Sequence, residues 1–184
     1  TYQSVSGSGQ KAIEELKQQS RKILDGKPVQ CNVYPHQIAF NCLPHIDTFM
    51  ENGYTKEEMK MVDETRKILG DNTIEVSPTA VRVPVFYSHS ESVCVETELP
   101  MDVDEIKDLL SSSPGISLVD NPEKNEYPLA VDACGKGGVF VGRVRGDLVR
   151  DNVINFWVVS DNLLKGAAYN AVQIAELVLK RLGN

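Results

Sequence analysis

This sequence of 184 residues has little of what marks the specialised classes of protein. No apolar run approaches the roughly 20 residues that a membrane-spanning helix needs, and the first residues do not have the pattern of a signal peptide. Basic residues are in deficit, with 19 Lys and Arg against 26 Asp and Glu. The resulting charge of −7 disfavours nucleic acids and anionic membrane surfaces as partners. Four cysteines give no disulfide framework, so a cytoplasmic, reducing environment is expected.

The composition that remains is that of an ordinary globular domain. Apolar residues make up 41% and charged residues 24%, and the length suffices for one buried core. The chain starts at Thr1 without a methionine and runs into a small-residue turn, Ser6 to Gly9. We therefore expect a domain excised from a longer protein, with a processed chain as the alternative.

Helices and strands are predicted in an interspersed order. Apolar spacing predicts helices over residues 10–24, 55–69, 102–110 and 163–182, the last of them capped by Asp161. Alternating patterns predict strands over 81–85, 92–98, 116–119, 139–144 and 154–159, and residues 31–50 are predicted to be a loop with brief strands. Several strands follow one another without a helix between them, which favours an α+β domain on a mixed sheet over a doubly wound fold.

The second predicted helix carries two informative patterns. Thr55 and Glu58 form a capping box at its start, and an apolar stripe from Met61 to Leu69 is predicted to face inward. Charged residues recur along another face, at Glu57, Lys60, Glu64 and Lys67. Such a stripe is usually a solvated surface. The functional alternative is that a carboxylate and an ammonium group hold an amino-acid substrate and an anion.

Two glycine-rich segments are weak candidates for phosphate binding. The backbone of residues 6–9 precedes a helix and could approach a phosphate or a cofactor, but no strand precedes it and the full dinucleotide fingerprint is absent. A plain turn and helix cap is the preferred interpretation. Residues 135–138 lack the P-loop pattern, and a hairpin turn is predicted there.

Arg82 and His89 are the sharper candidates. Arginine can bind a carboxylate through two parallel hydrogen bonds, and histidine can transfer a proton near neutral pH. Taken alone, each is more often structural. Strict strand alternation would place residues seven apart on opposite faces, so a bend, for which Pro84 is one candidate cause, is needed to bring both into one pocket.

Cysteines and histidines between residues 31 and 45 raise the question of a metal site. The spacing of Cys31, His36, Cys42 and His45 is compressed relative to familiar zinc sites, and two prolines interrupt it. The same side chains could supply a nucleophile and its base, but no spacing favours a particular pair. We predict no metal.

Six segments together resemble the bacterial form of the aspartate-semialdehyde dehydrogenase family. They occur in the order and at the intervals of that family over essentially the whole chain, and they are TYQSVSGSG (1–9), PHQIAFNCLPHID (35–47), YTKEEMKMVDETRKIL (54–69), VRVPVFYSHSESV (81–93), FVGRVRGD (140–147) and WVVSDNLLKGAAYNAVQIAE (157–176). Any one of them is weak, but six in register are specific. The resemblance implies a fold similar to the C-terminal domain of glyceraldehyde-3-phosphate dehydrogenase-like proteins.

The resemblance also implies a reaction, in which NADPH reduces L-4-aspartyl phosphate to aspartate semialdehyde with release of phosphate, a step toward lysine, methionine and threonine. It assigns roles by motif position. Gln3 would orient the acyl group, Glu57 would pair with the substrate amino group, and Lys60 with phosphate. Arg82 would bind the substrate carboxylate, and His89 would be the general acid and base.

The cofactor and the nucleophile lie mainly outside these motifs. Asn162 would contact the nicotinamide end of NADP, with Ser6 and Gly7 close to the cofactor. The family's nucleophilic cysteine follows an asparagine and precedes serine or threonine, and none of the four cysteines here has that setting.

The resemblance therefore implies one C-terminal substrate-binding and dimerisation domain over residues 1–184, without an N-terminal nucleotide-binding domain. Residues 161–184 would form a closing helix that packs on that domain, so its apolar stripe is expected to be exposed here. A homodimer, or a tetramer, is expected through the sheet, and the fragment alone is expected to be inactive. The alternatives are a sister enzyme similar to N-acetyl-glutamyl-phosphate reductase and a non-catalytic interaction module.

Overall fold

The computed structural model describes residues 1–183, which fall into two compact units, Thr1–Phe86 and the part from Tyr87 onward. The elements of the first unit are β1 (Tyr2–Gln3), a 3-10 turn (Val5–Ser8), α1 (Gln10–Leu24), α2 (Lys56–Leu69) and β2 (Val81–Arg82). The two short strands pair in parallel, with Gln3 opposite Arg82.

Helix α1 forms the core of the first unit with the irregular segment that follows it. Ala12, Ile13 and Leu16 pack against Ile38 and neighbouring apolar residues of that segment. Two polar side chains of α1 are buried in the same contact, and their oxygens satisfy backbone N–H groups of the irregular segment. Glu15 accepts from residues 32, 33 and 34, and Gln19 accepts from residues 38 and 39.

These bonds hold residues 32–39 within a segment, residues 27–55, that has no helix or regular strand. The segment contains isolated bridges, Leu43 to Arg82 and Phe49 to Thr55, as the predicted loop with brief strands requires.

Helix α2 begins with the predicted capping box. The Thr55 hydroxyl accepts from the Glu58 amide, and the Glu58 carboxylate accepts from the Thr55 amide. The predicted inner stripe is wrong toward its end, since Val62 is buried but Ile68 and Leu69 are 79% and 63% exposed. The helix therefore packs mainly through its first two turns.

The predicted strand over residues 81–85 is shorter than expected. Strand β2 ends at Arg82, and the Val85 amide donates to the Val83 carbonyl at 2.8 Å across Pro84. An i to i+2 hydrogen bond of this kind is a γ-turn. Pro84 was one candidate cause of a bend or bulge in this stretch, and the structure has this turn there.

The second unit contains a four-stranded mixed sheet. Its elements are β3 (His89–Glu96), α3 (Val103–Ser112), β4 (Ile116–Leu118), a 3-10 turn (Pro122–Lys124), α4 (Ala130–Ala133), β5 (Val139–Gly146), β6 (Val153–Ser160), a π-helical turn (Leu164–Ala168) and α5 (Tyr169–Leu182). Their order across the sheet is β4, β5, β6, β3. Strand β4 runs parallel to β5, while β6 is antiparallel to both β5 and β3.

Helix α3 covers one face of this sheet. Ile106 is buried with Val141, Val144 and Ile154 in a second apolar core. Asp102 caps α3 by accepting from the amides of residues 104 and 105. The predicted α+β class with a mixed sheet is confirmed.

Two predictions for the second unit need correction. Residues 135–138 do not form a hairpin turn. They lead from α4 into β5, and β5 pairs in parallel with β4, the strand that precedes it in the chain. The predicted helix over 163–182 begins instead with the π-helical turn, and α5 starts at Tyr169. Within residues 1–183, no helix has both the length and the apolar character to span a membrane.

Candidate substrate-binding site

Six of the eight predicted site residues lie in the first unit, and three of those six are joined by hydrogen bonds. Gln3 Nε2 donates to Glu57 Oε1 at 3.1 Å, and Lys60 Nζ donates to Glu57 Oε2 at 3.0 Å. Gln3 is itself opposite Arg82 in the β1–β2 pair. The Glu57 carboxylate therefore links the start of α2 to the strand that carries Gln3.

The capping residue of α2 also fixes the helix relative to β2. Glu58 is buried, and its Oε1 accepts from the Ala80 amide at 2.9 Å, directly before Val81. The sequence identified Glu58 only as half of a capping box. Its second role depends on a contact across 22 residues, which the local pattern does not contain.

The Glu57 and Lys60 side chains are held in their charged forms. Burial raises the pKa of Glu57, but hydrogen bonds from Gln3 and Lys60 and the nearby positive charges outweigh it, so the pKa lies below its ordinary value of 4.5. The hydrogen bond from Lys60 to Glu57 raises the pKa of Lys60 above 10.5. Lys60 is 57% exposed, so this ion pair contributes little to stability.

Arg82 is the most unusual residue of this group. It is only 5% exposed, and Nη1 donates to the Ser4 carbonyl at 2.8 Å. Its buried Nε has no hydrogen-bond partner, and no carboxylate within residues 1–183 lies within ion-pair distance of its guanidinium. Burial lowers the pKa of Arg82, although the group stays protonated. A buried cation in this state favours an external anion.

Tyr34 is a residue that the sequence reasoning missed. Its hydroxyl is buried without a hydrogen-bond partner, and burial raises the pKa of Tyr34, against the lowering effect of the positive charge of Arg82. Tyr34 belongs to the irregular segment held by Glu15. No local signal could have placed it beside Arg82, since its position depends on the packing of that segment against α1.

Ser6 and Gly7 differ in what they offer a cofactor. The Ser6 hydroxyl is buried and lies 2.9 Å from the Ser4 hydroxyl. Gly7 is exposed in the 3-10 turn. Of the two predicted neighbours of NADP, Gly7 is the one whose backbone is accessible to a dinucleotide.

His89 and Asn162 lie in the second unit. His89 is the first residue of β3 and pairs with Ser160 of β6. Asn162 follows β6 by two residues, and its Oδ1 accepts from the Ser88 amide at 3.1 Å. Since Arg82 belongs to the first unit and His89 to the second, a common pocket for the two stays a prediction.

Asp161 precedes Asn162 and is buried. Its Oδ1 accepts from the amides of Leu163 and Leu164, which confirms the predicted cap. Its Oδ2 accepts from the Gly135 amide at 2.7 Å. The sequence predicted the cap but gave no sign of the link to the glycine-rich segment.

The four cysteines are exposed and not joined in disulfides. Across the described residues, no three side chains of His, Cys, Asp or Glu are grouped so that they could hold a metal ion.

The carboxylate of Glu57, the ammonium group of Lys60 and the guanidinium of Arg82 thus lie on α2 and β2, two elements of the first unit that are joined through Glu58 and Ala80. The chain belongs to the family described as semialdehyde dehydrogenase, dimerisation domain, which matches residues 1–165.

Named relatives make the comparison more specific. Over 181 residues the chain is 59% identical to an aspartate-semialdehyde dehydrogenase of Shewanella violacea, covering 98% of this chain and 53% of that protein. The crystal structure of aspartate semialdehyde dehydrogenase II from Vibrio cholerae, complexed with ASA, superposes with a TM-score of 0.93 at 55% identity, covering 97% of this chain and 53% of that one. The Candida albicans enzyme with NADP gives a TM-score of 0.60 at 26% identity, covering 77% of this chain and 45% of that one. The chain thus spans about half the length of the relatives it matches.

Proposed function

We propose that this chain is the substrate-binding and dimerisation half of an aspartate-semialdehyde dehydrogenase. The whole enzyme reduces L-4-aspartyl phosphate with NADPH and a proton to L-aspartate 4-semialdehyde, NADP and phosphate, in the biosynthesis of lysine, methionine and threonine. The observation that best supports this is the group of Gln3, Glu57, Lys60 and Arg82 in the first unit, in a chain similar to enzymes of that name.

The charges of this group match those of the substrate. Aspartyl phosphate carries one ammonium group, one carboxylate and one phosphate. Glu57 stays ionised because its pKa is lowered, and can pair with the ammonium group. Lys60 is exposed enough to reach the phosphate, and Arg82 has an unsatisfied donor for the carboxylate. The one anionic and two cationic side chains of the site would thus pair with the one cationic and two anionic groups of the substrate.

The remaining residues act on orientation and proton transfer. Gln3 holds the Glu57 carboxylate and would place the acyl group for attack by a nucleophile outside this chain. His89 would give and take the proton as the general acid and base. The cofactor would supply the hydride as NADPH, or accept it as NADP in the reverse direction, and Gly7 and Asn162 would lie near it.

The quaternary structure and compartment follow from the same reasoning. We expect a cytoplasmic homodimer, or a tetramer of such dimers, formed through the sheet of the second unit, in keeping with the description of the matched family as a dimerisation domain. The relative that was crystallised with ASA and the one crystallised with NADP support these two compounds as ligands of the whole enzyme.

Activity should require more than this chain. The test is formation of NADPH from aspartate semialdehyde, phosphate and NADP, measured with the purified chain and with the full-length gene product. We expect activity in the second sample alone. NADPH formation by the chain itself would refute the proposal that the nucleophile and most of the cofactor site lie outside it. A preference of the full-length protein for N-acetyl-glutamate semialdehyde would favour the sister enzyme.

A further inference from the structure

The end of the β3–β6 ladder has an unusual hydrogen bond. The two strands pair from His89 opposite Ser160 to Glu96 opposite Val153. One residue before this ladder, the Ser88 amide donates to the side-chain oxygen of Asn162. The acceptor for this amide is thus a side-chain oxygen and not a backbone carbonyl.

Ser88 also has a strained backbone. Its φ is +72°, in the left-handed region that residues other than glycine seldom adopt, and it is 1% exposed. A buried residue keeps such a conformation only when its surroundings hold it there. The hydrogen bond from its amide to Asn162 is part of that restraint. Because Ser88 is adjacent to His89, its conformation sets the direction in which the chain enters β3.

The acceptor is itself fixed on both sides. Ser160, two residues earlier, is paired with His89 and also with Val139 of β5. Asp161 is buried and bonds the amides of Leu163, Leu164 and Gly135. Asn162 therefore stands on a rigid backbone, so the position of its oxygen is preorganised.

From this geometry we infer that Asn162 is a positioning residue for His89, acting through the Ser88 amide, in addition to its expected contact with the cofactor. This inference rests on the proposed function for its catalytic consequence. It means that one hydrogen bond joins Asn162, which is expected to meet the nicotinamide end, to Ser88, the residue directly before the proposed general acid and base. A change at Asn162 would then affect proton transfer as well as cofactor binding.

Amide exchange in the chain tests the structural part without any assay of activity. Asn162→Ala removes the acceptor, and exchange at Ser88 should accelerate at least tenfold. Asn162→Asp keeps an oxygen acceptor and should restore exchange to within threefold of the wild type. Asn170→Ala is the matched control, because it removes the same amide from a residue whose oxygen accepts from Lys165 instead. Unchanged exchange at Ser88 in Asn162→Ala would overturn the inference.

A double-mutant cycle in the full-length gene product tests the catalytic part. If Asn162 acts through His89, Asn162→Ala lowers kcat in the wild-type background and has no further effect on kcat in the His89→Ala background. Its effect on KM for NADP, which reports the direct contact, should persist in both backgrounds. If Asn162→Ala lowers kcat by the same factor in both backgrounds, the positioning role is overturned. An inactive full-length protein would refute the proposed function, while the exchange result would still stand.

Discussion

At the scale of single residues, the charge on Arg82 is the feature that packing does not explain. The guanidinium is buried, keeps one unsatisfied donor, and has a carbonyl rather than a carboxylate as its hydrogen-bond partner. Buried charges without an ionic partner cost stability. A residue retained at such a cost is typically functional.

Replacement of Arg82 by a side chain of similar volume should separate function from stability. Arg82→Met removes an uncompensated charge, so we expect the free energy of unfolding to stay within about 1 kcal/mol of the wild type. Lys107→Met is the contrasting variant, since it leaves the Asp120 carboxylate, 1% exposed, without its ion pair and should cost about 1–2 kcal/mol. Urea unfolding measures both. A loss at Arg82 above 3 kcal/mol, roughly that of a broken buried ion pair, would make the arginine structural.

Glu57 provides a pH-dependent test of the hydrogen bond from Gln3. The folded pKa of Glu57 is below 4.5, so its carboxylate contributes stability that is present above about pH 4.5 and is lost as the pH falls through the folded pKa. Gln3→Ala removes one stabilising donor and should raise the pKa toward 4.5. Titration of the Glu57 side chain by NMR measures the shift. A pKa that stays the same in the variant would show that Lys60 and the nearby charges suffice.

At the scale of secondary-structure elements, the sequence predicted the regular segments well. Helix α1 has the predicted bounds, and α2 begins one residue after the predicted start because Thr55 is its cap. These elements have caps and apolar periods that are local in sequence. Proline carries its own conformational constraint, so Pro84 was a candidate site for a bend, but the γ-turn itself was not predicted.

Elements that depend on distant contacts were predicted less well. The π-helical turn and the parallel pairing of β4 with β5 have no local signature. For the same reason the site was predicted in part. Its charged residues were found through motifs, whereas Tyr34 and the second bond of Asp161 depend on contacts that only the folded chain creates.

Gly142 in β5 is a further element-scale feature of this kind. A Cβ atom added there would lie 2.1 Å from the Val119 carbonyl oxygen and 2.6 Å from Pro128 Cδ, so backbone must move. We expect Gly142→Ala to destabilise the chain by about 2–3 kcal/mol. Gly146→Ala in the same strand meets only Val103 Cγ2 at 3.9 Å and should change stability by about 0.5 kcal/mol at most. Equal Tm values for the two variants would contradict this account of the close approach.

At the scale of the whole molecule, α5 leaves most of its apolar surface uncovered by the described residues 1–183. None of its residues is buried, and Leu177, Leu179 and Leu182 are 60%, 68% and 79% exposed. Apolar surface of this extent is normally covered. Under the proposed function, a nucleotide-binding domain of the whole enzyme would cover the apolar residues of α5, and this stays a prediction. Without that domain, we expect α5 to contact a neighbouring molecule, to swap between molecules or to move.

Sedimentation velocity can separate this association from the sheet-mediated dimer. Leu177→Glu places a charge on the exposed helix and should abolish association beyond the dimer while the free energy of unfolding changes by less than about 0.5 kcal/mol. Glu176→Gln, on the adjacent position, is the matched control and should leave association unchanged. A wild-type chain that is monomeric at all concentrations would contradict both the dimer formed through the sheet and the association through α5.

The π-helical turn before α5 has one more consequence. Its backbone bonds span five residues, as in the donation from the Ala168 amide to the Leu163 carbonyl, and α-helical spacing begins only after them. An α-helix rotates by about 100° per residue. Deleting one residue from the turn would leave α5 helical yet swing Val172, Leu179 and Leu182 through about that angle relative to Asp161. The π-helical turn thus determines which side of α5 faces the rest of the second unit and which side carries the exposed apolar residues.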